Sequence, residues 1–442
     1  MILRLIVENI ASFKNAVEFN TFPSSKSQSH NNHKVKCGHA TALRLGAIYG
    51  ANGAGKSNLL AAIALLKQMI MQESLQKVAI GENISFKFDN ACINAPSGIA
   101  VEYYYNKNIY YYHIEFDREC VSLEELYISK TNKDELVFKR DGENFQISKN
   151  YFQNGYNEQF AEGLQRLVRS DMIALPFVGK LYAQEFPVIA SAYSWFAEKL
   201  QVVAPDATTG FIPHFLDTDK EFEALVNSTI QEMNTGISQL KVNRELVEED
   251  KIIPGSMLYA AVNAAKQYPG VPQPLFGNRS GEVSNIIYDQ GQVVLKTLVA
   301  IHTDNNGDIT EMPITRESDG TRRIIEYMPL LYAITRQNAV YIVDEIERSI
   351  HPILIKEIIR KLSHGDGAKG QLIFTTHESA LLDQDIFRPD EIWFAQKDTD
   401  QATQLYPLSD FNIHKTANIE NGYLNGRYGG IPFLSNLKDL HW

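Results

Sequence analysis

GANGAGKS, Gly50–Ser57, follows the apolar run Leu43–Tyr49 and opens the periodic segment KSNLLAAIALLKQMI. A buried strand, a glycine-rich turn and a helix therefore meet here, and the string fits G-x-x-x-x-G-K-[ST] in the context that its chemistry requires. The glycines let backbone N–H groups approach an anion, and the start of the helix adds a partial positive charge. Asn52, Gly53, Gly55 and Asn58 are the expected phosphate cradle. Lys56 would reach the β- and γ-phosphates of ATP, and Ser57 would ligate Mg²⁺. As a bare string the motif also arises by chance in ordinary turns. The strand before it and the helix after it select the binding reading.

Two further stretches carry groups suited to the same chemistry. In AVYIVDEIERSIHP, Ala339–Pro352, the bulky residues Val340–Val343 read as a buried strand ending in Asp344-Glu345. Asp344 is the candidate metal ligand, and Glu345, beside the metal but not on it, is the candidate base for the attacking water. QLIFTTHES, Gln371–Ser379, reads as the next buried strand, ending in Thr375, Thr376 and His377. A strand-end acidic pair also suits a solvated turn, and a lone strand-end histidine is usually structural. Their order after a P-loop favours catalytic roles, with a neutral His377 imidazole holding the water or the γ-phosphate.

P-loop, distant glycine turn, strand-Asp-Glu, strand-His: this order resembles the ABC-type ATPases, particularly the SMC, RecF and Rad50 branch. That family has a signature turn shortly before its acidic strand, and RESDGTRRII, Arg316–Ile325, occupies the position. Ser318, Gly320 and a following helix N-terminus supply a hydroxyl, a close backbone N–H and a positive helix end for an anion. Ser318 also fits an N-cap, and Arg322 and Arg323 in the first turn suit a face turned to an anion better than intrinsic helix stability. The resemblance implies that the turn of one subunit closes on nucleotide held by another, so the partner is at least a second copy of this chain. It further implies nucleotide contact at Ser12–Lys14 and a subunit-communication loop at Ser349-Ile350-His351. The usual glutamine loop is not placed, Ile84–Phe88 being its neighbourhood.

The fold class implied is α/β: an ABC ATPase head, with a P-loop core sheet and an antiparallel β lobe, and a helical insertion replacing a coiled coil. The expected divisions are 1–150 for the first lobe, 151–285 for the insertion and 286–442 for the second lobe. The tail YLNGRYGGIPFL, Tyr423–Leu434, and the short insertion resemble the compact OLD-like or RloA-like ATPases of bacterial antiphage systems, including the PARIS ATPase component. OLD nucleases add a Toprim carboxylate set, and none follows His377; DTD, Asp398–Asp400, reads as a turn before a final strand.

Elsewhere the chain is less specific. The first twenty residues alternate as paired strands do, and Ser24–Lys36 reads as a polar, mobile loop whose His30 and His33, like the nearby His39, are solvated. Tyrosine-rich runs between Ile99 and Phe116 flank Asn106-Lys107-Asn108 as a hairpin; cross-strand packing is the commoner use of such rings and the expected one, with stacking on single-stranded bases the alternative. Tyr151–Glu249 looks helical and mixed, without heptads.

With 442 residues and 44% hydrophobic content, the chain can bury a large core. A net charge of −11 favours protein partners over general DNA binding, although local basic patches survive in acidic proteins. Cys37, Cys92 and Cys120 lack zinc or disulfide spacing, and no run of 18 apolar residues occurs, so the expected location is the cytoplasm, with no membrane partner. The combined expectation is an ATP- and Mg²⁺-dependent, slowly hydrolysing sensor or scaffold. It would form homodimers or larger assemblies and control a separate effector, a nuclease among the candidates, in response to a phage-derived trigger. A RecF-like DNA-repair ATPase that clamps DNA directly is the alternative, and a transporter ATPase fits less well.

Overall fold

Leu45–Gly50 is buried along its length because it runs between two other apolar strands. In a computed structural model of the chain, this strand lies inside a six-stranded sheet. The order across that sheet is Leu200–Val203, Val340–Val343, Gln371–Thr375, Leu45–Gly50, Ile392–Lys397 and Thr403–Pro407. The first five run parallel and only the last pair is antiparallel. Short bulky runs such as VYIV and QLIFT suit parallel strands covered on both faces. The structure describes residues 1–78, 80–81, 84–151, 158–207, 210–233, 235–275, 283–365, 368–414 and 417–431.

The helix Lys56–Gln72 turns Leu59, Leu60, Ile63 and Leu66 into a core that also takes Ile48, Ile342 and Ile373 from the sheet. The other side of that core is a seven-stranded antiparallel sheet, in which Ile2–Glu8 pairs with Val17–Asn20 and with Ser97–Tyr105. Ser97–Tyr105 and Asn108–Phe116 form the expected hairpin. Asn106 and Lys107 both have positive φ, the backbone of a two-residue turn that matches strand twist. Three of its tyrosines take the cross-strand packing expected of them: Tyr103 pairs with Tyr110 across the strands, and both are fully buried with Tyr112. Tyr103 stacks on Trp195 with ring centroids 4.1 Å apart, so these rings pack the core.

A buried carboxylate ties this sheet to the following helices. Glu124 is 0% exposed and accepts from the Ala174 and Leu175 N–H groups, each at 2.8 Å, and from the Tyr112 hydroxyl at 2.9 Å. It thereby caps the helix Ala174–Leu181, whose own N-cap Ile173 has no side-chain acceptor. Burial pushes the Glu124 carboxyl above its ordinary range, against the pull of those donors and of Arg140.

The polar loop expected at Ser24–Lys36 is anchored. Arg388, fully buried and paired with Asp390, donates to the carbonyls of Ser27 and Ser29. His33 is buried, with Nδ1 2.9 Å from the Glu391 carboxylate and Nε2 2.9 Å from Ser363 Oγ, whereas His39 is exposed. Its partners lie over 300 residues away in sequence, beyond any local pattern.

The chain divides into two compact units, one formed by Met1–Pro205, Ile334–Ile346 and Lys356–Trp442, the other by Asp206–Ala333 and Glu347–Ile355. Segment 151–285 contributes to both. It holds helices, among them Pro187–Ser194 and Lys220–Glu232, and also the strands Leu200–Val203, Gln239–Leu246 and Gln273–Leu275. The first of these strands is four residues long with only Leu200 buried, so it carries no alternation to read. The second unit has its own antiparallel sheet, built on the long strand Gln292–Thr303, and a small core where Ala261, Val262 and Ala265 meet Ile286 and Val293. Residues 276–282, in the Pro- and Gly-rich stretch YPGVPQPLFGNRSGE (268–282), and 432–434 of the tail lie outside the described residues.

Replacing Glu124 by Ala leaves two buried N–H groups and a tyrosine hydroxyl without their acceptor. It lowers unfolding free energy by about 3 kcal/mol in urea titration; an unchanged midpoint would show that the carboxylate is dispensable.

Candidate functional site

Three neighbouring parallel strands end at the same edge of the six-stranded sheet. Thr375 is in register with Ile48, and Phe374 with both Ala47 and Val343. The segment after the first strand is the P-loop, after the second comes His377, and after the third come Asp344 and Glu345. The carboxyl edge of a parallel sheet is where open α/β folds place ligands.

Gly53 and Gly55 have φ of +76° and +101°. A Cβ on Gly55 would fall 2.1 Å from Thr403 Oγ1 and 2.6 Å from Ser12 Oγ, so both backbone and space demand glycine. Lys56 begins the helix at 5% exposure, with Nζ donating to the carbonyls of Gly50 at 2.8 Å and Ala51 at 3.1 Å. Its ammonium is folded over the loop that it serves. Asn52 and Gly53 are exposed.

Ser57 Oγ donates to Asp344 Oδ1 at 3.2 Å. Thr375 Oγ1 donates to the same carboxylate oxygen and accepts from the Glu345 N–H at 2.8 Å. One threonine hydroxyl thus fixes the side chain of Asp344 and the backbone of Glu345. Glu345 has φ of +48°, a conformation disfavoured for a residue with a side chain, and the Ile346 N–H bonded to the Thr375 carbonyl at 3.1 Å helps to hold it. His377 is exposed, just beyond Thr376, whose N–H bonds the Ile48 carbonyl at 3.1 Å.

Behind the P-loop, Asn58 Nδ2 donates to Ser12 Oγ at 2.8 Å, and Thr403 Oγ1 lies 2.8 Å from both Ser12 Oγ and the Ala54 carbonyl. Asn58 therefore faces the Ser12 turn. Thr403 was not foreseen: it is one threonine at a strand start, and nothing local marks it. Lys14 lies 3.0 Å from both Asp89 and Asp400, the latter in the Asp398–Asp400 turn, which does precede the strand Thr403–Pro407. The segment Ile84–Phe88 packs on this turn through Ala11 N–H to the Ile84 carbonyl at 2.6 Å, but it contains no glutamine.

Ser318 and Gly320 belong to the second unit. Ser318 caps the helix Asp319–Arg336, its Oγ accepting from the Thr321 N–H at 3.1 Å. A Cβ on Gly320 would fall 2.8 Å from the Ser349 carbonyl, so the glycine turn and the Ser349–His351 loop touch within this unit. The two arginines each have an acidic partner on their own helix. Arg322 pairs with Asp319, and Arg323 is buried against Glu326 at 3.1 Å and over the Tyr327 ring. Their helix positions could be read from sequence; these i,i+3 partners compete for the same charges.

The residues fit a magnesium nucleoside triphosphate. Ser57 and Asp344 offer a hydroxyl and a carboxylate side by side, the oxygen set preferred by Mg²⁺, close to Gly53, whose missing Cβ leaves its exposed backbone open. Among the described residues, no helix is long and apolar enough to cross a membrane.

A family model described as "AAA domain, putative AbiEii toxin, Type IV TA system" matches residues 46–383. No curated protein sequence matches the chain. Among solved structures, the SMC head domain from Thermotoga maritima is 10% identical, with 93% of this chain and 99% of that chain covered and a TM-score of 0.37. An Smc head bound to the C-winged helix domain of ScpA is 12% identical, with coverages of 92% and 97% and a TM-score of 0.42. An Smc head with an extended coiled coil bound to the C-terminal domain of ScpA, derived from Pyrococcus furiosus, is 12% identical, with coverages of 92% and 96% and a TM-score of 0.41. At these identities and scores the likeness adds nothing to the geometry above. The family match, by contrast, spans well over half of the chain and includes the P-loop, the acidic pair and His377, so the chain belongs to this AAA-domain family of P-loop ATPases.

Proposed function

We propose that this chain binds and slowly hydrolyses ATP with Mg²⁺, and couples that cycle to pairing of its own copies. The observation that carries the proposal is the convergence of Lys56, Ser57, Asp344, Glu345 and His377 on the ends of three adjacent parallel strands. Lys56 exchanges its two loop carbonyls for β- and γ-phosphate oxygens, with Asn52, Gly53 and Gly55 supplying backbone around them. Ser57 and Asp344 would hold Mg²⁺, which when bound offsets charge on the phosphates. Glu345, its backbone N–H held by Thr375, accepts the proton of the attacking water. His377, at the end of the middle strand, orients that water or the γ-phosphate through its imidazole.

Ser318 and Gly320, in the second compact unit, would serve the nucleotide of a second copy. The helix capped by Ser318 offers its N–H groups to that anion. ATP then joins two copies, and the assembly holds or releases a separate effector in a bacterial antiphage response, in the manner of the compact OLD-like ATPases. Reference to a toxin–antitoxin system in the family description is in keeping with a two-component defence role. A net charge of −11 favours a protein effector over a DNA clamp, and the cytoplasm is the expected location.

Four variants test the reading. Lys56→Ala abolishes ATP binding in a fluorescent-nucleotide titration, and Gly55→Ala weakens it about tenfold or more by displacing the loop from Thr403. Glu345→Gln keeps ATP binding but loses about 100-fold in turnover, trapping an ATP-bound assembly seen by size-exclusion chromatography; wild-type turnover in this variant removes Glu345 as the base. Ser318→Arg binds ATP without hydrolysing it, and mixing it with Lys56→Ala restores part of the activity. No recovery despite demonstrated subunit exchange would confine Ser318 to helix capping. Co-purification with a co-encoded protein supports effector control, whereas salt-sensitive, ATP-dependent DNA binding in its place favours the RecF-like alternative.

A further inference from the structure

The segment after His377 is tied to the carboxy-terminal helix Ile419–Leu424. Ser379 Oγ donates to Glu420 Oε1 at 2.9 Å, and Gln384 Nε2 donates to the Ala417 carbonyl at 2.7 Å. Between them the short helical turn Ser379–Leu381 is capped by Glu378, whose carboxylate accepts from the Ala380 N–H at 3.0 Å. The Glu378 N–H in turn bonds Thr376 Oγ1 at 3.0 Å. His377 therefore sits between two fixed points, Thr376 on the sheet and Ser379 on the helix.

The same helix also touches the strand that feeds the P-loop. Tyr423 lies edge-on to Tyr49, the residue before Gly50, with ring centroids 5.9 Å apart, and it stacks on Phe394 at 5.6 Å. Its hydroxyl donates to the Gly430 carbonyl at 3.1 Å, closing the tail back on the helix. The helix is thus braced against the P-loop strand through Tyr423 and against the His377 segment through Glu420.

We propose that Ser379 and Glu420 form a positioning pair that sets the place of His377 relative to the P-loop. The pair acts through the backbone on either side of His377 and touches no substrate itself. The inference rests on the assignment of His377 to hydrolysis, and it adds a route by which the carboxy-terminal helix controls turnover. Loss of one such hydrogen bond shifts an equilibrium about five- to tenfold, and the displaced histidine passes that loss to the chemical step.

Steady-state ATP turnover, nucleotide titration and hydrogen–deuterium exchange on the full chain test the pair. Glu420→Ala and Ser379→Ala each lower kcat about five- to tenfold with ATP affinity unchanged, and the double variant is no worse than either single one. Glu420→Gln, which keeps an oxygen acceptor for Ser379, retains kcat. Exchange across residues 376–384 quickens in Glu420→Ala and not in Glu420→Gln. Equal kcat in Glu420→Ala and wild type, multiplicative losses in the double variant, or equal damage from Ala and Gln would overturn the pair. Absence of turnover in the wild type, or wild-type turnover in His377→Ala, overturns the role of His377 instead. The exchange result then still decides whether Glu420 holds the segment.

Discussion

The Thr375 hydroxyl holds the candidate site together. It has one proton and gives it to the Asp344 carboxylate, leaving a lone pair for the Glu345 N–H. Neither bond would exist without the parallel register that sets the ends of Val340–Val343 and Gln371–Thr375 side by side. That register depends in turn on apolar strands buried on both faces, so the core contributes to the alignment of the site as well as to stability. A shift by one residue would move Thr375 off the acidic pair and turn its side chain to the other face.

The site concentrates groups that are costly to bury or to hold. Lys56 and Asp344 are buried charged side chains, and Glu345 occupies a backbone region that costs roughly 1–3 kcal/mol. Lys56 is partnered by two carbonyls, Asp344 by two hydroxyls and Glu345 by a threonine, so each cost is met locally. A phosphate or water that enters competes for groups already held in place.

The parts of this arrangement legible in sequence are those with local causes. GANGAGKS declares its turn through glycine, VYIV and QLIFT declare buried strands through unbroken bulk, and Asn106-Lys107 declares a hairpin through the turn that it must make. Parts with distant causes were not legible. His33 looks solvated until Glu391 and Ser363 arrive from far along the chain, and Thr403 has no importance until Gly55 and Ser12 close on it. Arg322 and Arg323 carry a signal that sequence gives only in part: a local rule about helix starts suggested an anion, and each also has an acidic partner one turn away on the same helix. The four-residue strand Leu200–Val203 was hidden because an edge strand with one buried residue has no periodicity.

Thr403 and Ser12 are 391 positions apart in sequence and meet behind the P-loop at 2.8 Å. During synthesis the Gly-rich turn, its lysine and its helix all emerge long before Thr403 does. A growing chain therefore carries the whole phosphate motif well before the threonine that packs behind it. Closing the space behind the loop is therefore a step of long-range folding, slower than forming the local turn and helix in front of it.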